Sequence, residues 1–231
     1  GTEVILSPAE SHHLLRVLRL PVGERLEVGD GRGRIFLAEI VALDGAGVRL
    51  RLLEEISSAG ESPLRLTLGL ALARAETVEA VIRQATEMGA YRLEPFYSRR
   101  SLIRPEAWVQ TKYSRWQRLA QEAMKSSQRR VLPEITLPVE FGQVLQGPEE
   151  MKILFWEEER DRSPAVALGE ASVASVRVLI GPEGGFTDEE AAAARQAGFL
   201  VMGLGPRRLR VETAALAALT VVQYLWGDLG H

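Results

Sequence analysis

Two glycine-rich segments near the C-terminus, each directly after a short apolar run, constrain the fold most. The first is LIGPEGGF at 179–186, and the second is LGPRRLRVETAAL at 204–216, which follows the apolar residues 200–202. Glycine turns at the carboxyl ends of strands build ligand sites in α/β folds, because backbone amides can approach a ligand where no Cβ intervenes. The two segments therefore predict an α/β fold with a ligand site at these loops.

These segments differ from the common nucleotide-binding motifs. Neither contains the Gly-Lys-Ser/Thr of a phosphate-binding loop or a clean Gly-x-Gly-x-x-Gly fingerprint. Either segment alone is compatible with an ordinary strand-to-helix turn. Their occurrence together, one with Pro-Glu-Gly-Gly and one with three arginines, favours a binding site.

After residue 63, predicted strands and helices alternate along the chain. Thr187 and Glu190 have the spacing of a capping box, which predicts a further helix that Gly198 ends. This alternation predicts a parallel sheet with helices on both faces. The other predicted elements are strands at 64–72, 91–96, 151–156 and 176–181, and helices at 76–88 and 106–126.

The N-terminal part has a different pattern, with short β-prone runs broken by glycine. Residues 25–28 and 35–41 flank the turn GDGRGR, which predicts a β-hairpin, and 48–53 predicts another strand. Residues 12–19 predict one short amphipathic helix. A Ser-, Gly- and Pro-containing segment at 57–63 is the best candidate linker. We therefore expect two domains, 1–62 and 63–231, of which the first is a small β-barrel of a kind that often binds RNA.

Composition excludes several kinds of chemistry. The chain has no cysteine, which rules out disulfides, thiolate metal sites and a cysteine nucleophile, and its three histidines do not form a plausible metal cluster. No apolar run reaches the length needed to span a membrane, and no signal peptide is visible. We expect a cytoplasmic protein that needs neither a metal nor a membrane.

The net charge of −3 conceals a basic region. Residues 74–130 contain 12 Lys and Arg against 6 Glu, a net charge of +6, so the rest of the chain carries −9. Aromatic residues are interleaved with these cations, which favours an RNA-binding surface over a solvated helix face. Charge reversal at Arg129 and Arg130 is expected to weaken RNA binding more than reversal at Arg49 and Arg51.

The last predicted helix bears on quaternary structure. Residues 214–226 are almost wholly apolar, and only Thr220 and Gln223 interrupt them. A helix without a polar face must be buried on all sides. One side would face the sheet, and either a partner protomer or the rest of the same chain would cover the other.

The two glycine-rich segments together resemble the C-terminal signature of the SPOUT class of methyltransferases. Within that class the chain is most similar to the RsmE family, the small-subunit ribosomal RNA uridine N3-methyltransferases. Residues 11–34, 83–101 and 115–135 are also similar to segments of that family. The sequence departs from the family pattern outside the glycine loops, with Gln84 in place of a usual lysine and Arg99 in place of a usual acidic residue.

The resemblance implies the fold and the ligands. It implies a SPOUT-type parallel-sheet domain with a trefoil knot, preceded by a PUA-like N-terminal β-barrel. It also implies a homodimer that acts on small-subunit ribosomal RNA and holds S-adenosyl-L-methionine (SAM) in the knot loops. The residues that the resemblance assigns to cofactor binding are Ile180, Gly181, Glu183, Gly184, Gly185, Leu204, Gly205, Leu209, Arg210 and Thr213.

Methylation at uridine N3 requires that a proton be removed or that the resulting anion be stabilised. A cation near the uracil oxygens would do the latter, and Arg210 is the first candidate, with Arg100 second. Glu212 or Glu183 could accept the proton. Glu212 could equally be a residue that favours the start of a helix. Two alternatives stay open: methylation of another base or of a ribose 2′-hydroxyl, and a non-enzymatic RNA-binding assembly factor.

Overall fold

The computed structural model describes residues 2–44, 47–56, 61–101, 106–162, 164 and 172–230. Residues 57–60 of the predicted linker lie outside this part of the chain. The chain divides into two compact units, Gly1–Gly60 and Glu61–His231.

The first unit contains a four-stranded antiparallel sheet with the strand order β1-β4-β3-β2. The predicted hairpin is confirmed, since β2 and β3 pair antiparallel with Val28 opposite Phe36. The predicted helix at 12–19 begins earlier, because the Ser7 hydroxyl caps a helix that has proline at its first position. It continues as a π-helical segment, His13–Leu18. The elements are β1 Glu3–Ile5, α1 Pro8–His12, β2 Arg25–Gly29, β3 Ile35–Asp44 and β4 Gly47–Ile56.

The second unit is built on a seven-stranded sheet in the order β11-β9-β10-β5-β6-β7, with β8 pairing β6. All its strand pairs are parallel, as the alternation of elements predicted. The strands β7 and β8 were not predicted, because each has only two residues, too few to show a periodic pattern. The strands are β5 Arg65–Ala71, β6 Arg92–Tyr97, β7 Glu134–Ile135, β8 Val139–Glu140, β9 Met151–Phe155, β10 Ser175–Ile180 and β11 Leu200–Met202.

Helices cover both faces of this sheet. The side chains of Val176, Val178 and Ile180 in β10 pack in one buried cluster, and Leu179 packs in another. The first cluster also contains residues of α2, α3 and α6, and the second contains residues of α4 and α5. The helices are α2 Ala75–Glu87, α3 Glu106–Ser126, α4 Phe141–Val144, α5 Asp188–Gln196 and α6 Val211–Trp226.

The final helix, α6, is buried along one face only. Ala215, Leu219 and Val222 are fully buried against the sheet. On the opposite face, Leu216 is 37% exposed and Tyr224 is 63% exposed. The rest of the chain, as far as the structure describes it, therefore leaves one face of α6 uncovered, on which Leu216 and Tyr224 lie beside Thr213 and Thr220.

No helix in the described part of the chain combines the length and the hydrophobicity needed to cross a membrane.

Candidate functional site

A cavity of about 620 Å³ lies where β9, β10 and β11 end. Its walls include residues 155–157, 180–185 and 204–205 from the loops that follow these three strands. The strands are neighbours and parallel, so their carboxyl ends meet at one edge of the sheet, which is where α/β folds bind ligands. The volume falls within the range of small-molecule sites, about 300–1,000 Å³.

The structure brings nearly all of the sequence-predicted site residues to this cavity. Arg210 and Glu212, the predicted catalytic pair, both line it, whereas Thr213 and Arg100 do not. The cofactor-binding role of the lining residues stays a prediction. The cavity wall contains Ile180, Gly181, Glu183, Gly184, Gly185, Leu204, Gly205, Leu209 and Arg210.

The loop after β10 is held from behind by Phe186. Its ring is buried and stacks on Phe96 with centroids 6.2 Å apart, and its carbonyl oxygen accepts a hydrogen bond from Trp156 Nε1 at 3.2 Å. The Phe186 ring also packs close to Gly181, where an added Cβ would lie 3.2 Å from ring carbons. Bulky packing behind the loop therefore fixes the backbone that faces the cavity.

Arg100 contacts the same loop from outside the cavity. Its Nη1 donates to the carbonyl oxygen of Gly184 at 2.7 Å, and its side-chain carbons cover Gly184 so closely that an added Cβ would lie 3.2 Å from Arg100 Cβ. In this geometry the guanidinium holds the loop and does not face the cavity. The arrangement favours a positioning role over contact with a uracil oxygen.

Glu183 is engaged by the start of α2. The backbone N–H and Nε of Arg74 donate to Glu183 Oε1 at 3.0 and 3.3 Å. Partial burial raises the pKa of this carboxyl, but the hydrogen bonds from Arg74 outweigh it, and the net pKa lies below the ordinary value of 4.5. A carboxylate stabilised in its ionised form is a weak proton acceptor, so Glu212 fits the role of base better than Glu183 does.

Arg210 and Glu212 lie at the start of α6. Arg210 is the N-cap residue, and Glu212 lies in the first turn, where its charge is favourable to the helix dipole. Within the described residues, Arg210 pairs with no carboxylate. Arg210, which is unpaired among the described residues, thus faces the same cavity as the carboxylate of Glu212. The position of Glu212 is compatible both with a role at the start of the helix and with a role in the site.

Glu157, two residues after the end of β9, lies at the cavity but is not among the residues predicted from the sequence. It lines the cavity, and its carboxylate lies so close to Gly185 that an added Cβ there would be 1.7 Å from Glu157 Oε1. The next two glutamates bond elsewhere, Glu158 to Arg208 and Glu159 to Arg195, each at 2.7–2.8 Å. The three consecutive glutamates 157–159 directly after the predicted strand 151–156 are the sequence signal for this residue.

The described residues contain no group of His, Cys, Asp or Glu that could hold a metal ion.

Comparison with known families defines the class of protein. The model described as the RNA methyltransferase domain matches residues 60–223, and the one described as the RNA methyltransferase PUA domain matches residues 6–53. The parallel sheet and its edge cavity lie within the first match, and the four-stranded antiparallel sheet largely within the second. Fold and site thus define an RNA methyltransferase.

Individual relatives narrow the class further. The ribosomal RNA small subunit methyltransferase E of Synechocystis sp. is 37% identical over 226 residues, which cover 96% of this chain and 73% of that protein. The protein of the same name from Aquifex aeolicus is 32% identical over 225 residues, 96% of this chain and 94% of that one. The chain belongs to the ribosomal RNA small subunit methyltransferase E (RsmE) family.

Solved structures agree with this assignment. The ribosomal RNA small subunit methyltransferase E of Neisseria gonorrhoeae, bound to SAM, aligns with a TM-score of 0.89 at 28% identity, covering 99% of this chain and 94% of that one. A Legionella pneumophila protein in complex with SAM aligns with a TM-score of 0.88 at 32% identity and the same coverage.

Proposed function

We propose that this protein transfers the methyl group of SAM to N3 of a uridine in 16S ribosomal RNA, on the assembled small subunit in the cytoplasm. One observation carries the proposal. The loops after three neighbouring parallel strands enclose a cavity of about 620 Å³, in a family two of whose solved relatives hold SAM. The same loops carry the two sequence segments that first indicated a ligand site.

The residues around the cavity fit this cofactor. Leu204 and Leu209 offer apolar contact for an adenine ring, and the glycines of both loops expose backbone that can approach a ligand closely. Glu157 adds a carboxylate suited to a hydroxyl or cationic group beside Gly185. When bound, SAM supplies an electrophilic methyl group.

Arg210 and Glu212 then prepare the uracil ring. Uridine N3 is a poor nucleophile while it carries its proton. Arg210 would donate to a uracil oxygen and stabilise the negative charge that develops as the proton leaves. Glu212 would accept that proton, since Glu183 is bonded to Arg74.

RNA recognition is divided between the two domains. We assign residues 1–62 to a PUA-like RNA-binding β-barrel and 63–231 to a SPOUT methyltransferase domain with a trefoil knot in its C-terminal half. The matched PUA model and the basic region at 74–130 support this division. RNA binding should weaken steeply with salt, because lysines and arginines on phosphates release counterions.

The active form is a homodimer. The uncovered face of α6, with Leu216 and Tyr224 exposed, supports a partner protomer there, because exposed apolar faces of this kind mark protein interfaces. The start of α6 carries Arg210 and Glu212, so a partner on α6 would lie near the cavity.

The decisive experiment is the transfer of labelled methyl from SAM to small ribosomal subunits from a strain that lacks the enzyme, followed by mass spectrometry of the nucleosides. We expect 3-methyluridine. Detection of a different methylated base or of a 2′-O-methyl nucleoside would support SAM as the cofactor but contradict uridine N3 as the target atom. Absence of transfer, together with absence of SAM binding by calorimetry, would favour an RNA-binding assembly factor. The Arg210→Ala protein serves as the matched control in the same assay.

A further inference from the structure

The carboxylate of Glu190 joins two loops that are far apart in sequence. Glu190 lies in the first turn of α5 and is 4% exposed. Its Oε2 accepts a hydrogen bond from the backbone N–H of Thr187 at 2.9 Å, which is the capping-box contact. Its Oε1 accepts from the backbone N–H of Arg99 at 3.0 Å, across 91 positions of sequence. A capping box needs only the first of these bonds.

The residue after Arg99 makes a second connection between the same loops. Arg100 Nη1 donates to the carbonyl oxygens of Gly184 at 2.7 Å and Phe186 at 3.4 Å. The loop that follows β6 is thus bonded to the loop that follows β10 at two points. Because β5 lies between β6 and β10 in the sheet, no ladder hydrogen bonds connect these two strands directly.

We infer that Glu190 is a positioning residue, which fixes the loop at 98–101 against the loop at 181–187. The loop at 98–101 carries Arg99 and Arg100 of the basic region, and residues 181–185 of the other loop form a wall of the cavity, which Thr187 does not line. The inference rests on the proposed function, in which the basic region contacts RNA and the cavity holds SAM. Glu190 would keep the two ligands in one geometry without touching either.

The two hydrogen bonds of the Glu190 carboxylate, to Arg99 and to Thr187, form a bridge that explains why this position is a glutamate. Among side chains only a carboxylate has two acceptor oxygens, and here each oxygen faces a separate N–H group. Aspartate would preserve the charge in the first turn of α5 but is one carbon shorter. It therefore cannot maintain both bonds at 2.9 and 3.0 Å.

Variants at Glu190 and Thr187 distinguish the connection to Arg99 from the helix cap. Glu190→Asp cannot keep both hydrogen bonds and so weakens the connection, and Glu190→Ala removes both bonds. Thr187→Val removes the hydroxyl that accepts from the Glu190 N–H at 3.2 Å, but leaves the Glu190 carboxylate in place. Both kinds of change weaken the start of α5, but only the first kind weakens the connection through Glu190, and the bonds from Arg100 to Gly184 and Phe186 remain in every variant.

Hydrogen exchange followed by mass spectrometry tests the bridge without reference to activity. In the wild-type protein and in Thr187→Val, SAM should slow exchange in residues 181–187 and also in 98–101. In Glu190→Asp and Glu190→Ala the slowing of 98–101 should be smaller than in wild type, because the Arg100 bonds then carry the connection between the loops. Equal slowing of 98–101 in wild type and both Glu190 variants would overturn the inference, as would a wild type in which only 181–187 responds. A wild type in which SAM changes neither segment would overturn the proposed function itself.

Kinetics give the second readout. At saturating SAM and subunits, Glu190→Asp should lower the methylation rate by about tenfold or more, because small displacements away from the reacting atoms have large effects on rate. Thr187→Val should stay within about twofold of wild type, since a weakened cap leaves the bridge intact. If the rate losses of Glu190→Asp and Thr187→Val are proportional to their losses in melting temperature, Glu190 acts only as a helix cap and the inference is wrong.

Discussion

The guanidinium of Arg129 is buried against Glu61, with Nη2 2.7 Å from Oε2 and the Arg129 side chain 7% exposed. It also donates to the carbonyl oxygens of Thr86 and Ala90 at 2.8 and 3.0 Å. Arg129 belongs to the basic region, but its guanidinium donates its hydrogen bonds to groups within the fold. The fold therefore does not present Arg129 to an RNA phosphate, and the expected effect of charge reversal at Arg129 and Arg130 on RNA binding stays a prediction.

Arg129→Ala should therefore lower the stability of the protein more than its affinity for RNA. Removing one partner of a buried ion pair leaves the other charge uncompensated, so the free energy of unfolding should fall by about 3–5 kcal/mol. Arg118→Ala is the control, because its pair with Glu122 is 64% exposed on both sides and should contribute less than about 1 kcal/mol. Urea unfolding of both variants checks this, and equal losses would contradict it.

The same pair makes stability depend on pH. Burial raises the pKa of the Glu61 carboxyl, but the Arg129 guanidinium and the N–H groups of Arg130 and Val131 outweigh it, so the pKa lies below 4.5 when folded. A depressed carboxyl pKa adds stability above the unfolded pKa, and this is lost as the pH falls through the folded pKa. Glu61→Gln should thus be less stable than wild type at pH 7, and the gap should narrow below about pH 4.5. A gap that is constant from pH 7 to pH 3.5 would contradict this.

Local signals in the sequence were sufficient for most of the second unit. The long helix α3 has the predicted bounds, and the capping box of Thr187 and Glu190 begins α5 as predicted. Both depend on neighbours within four positions. The bond from Glu190 to Arg99 and the contact of Arg100 with Gly184 depend on how distant segments pack, which periodicity does not encode.

A valine at Gly205 should abolish SAM binding. Gly205 lines the cavity with φ +98°, a conformation that β-branched residues avoid, so the loop would have to move. Gly198 has φ +85° but lies outside the cavity, and Gly198→Val is the control for backbone strain alone. Calorimetry should show loss of binding only for Gly205→Val. A valine at Gly184 would instead meet the Arg100 side chain, because an added Cβ there would lie 3.2 Å from Arg100 Cβ.

The dimer proposal predicts a specific dissociation. Wild-type protein should sediment as a dimer at micromolar concentration, and Leu216→Asp on the uncovered face of α6 should shift it towards monomer, because a charge cannot be buried there without a partner. Leu137→Asp is the control, since Leu137 is 53% exposed and lies outside α6. A wild type that is monomeric throughout this range, or equal dissociation of both variants, would reject the interface.

Catalysis gives the sharpest test of the site. If Arg210 stabilises an anionic uracil, Arg210→Ala should lower the methylation rate by about a hundredfold or more, the scale for losing one transition-state donor. Its affinity for RNA should change far less, because one contact is a small share of a multi-contact interface.

Glu212→Gln should slow methylation as well, and raising the pH should partly restore the rate if Glu212 accepts the N3 proton, since a larger fraction of uridine is then already deprotonated. A normal methylation rate in Glu212→Gln would reject Glu212 as the proton acceptor, and its role would then be that of an acidic residue in the first turn of α6. If Arg210→Ala lost affinity for RNA or SAM in proportion to its rate, Arg210 would be a binding residue, and stabilisation of the anion would need another donor at the cavity.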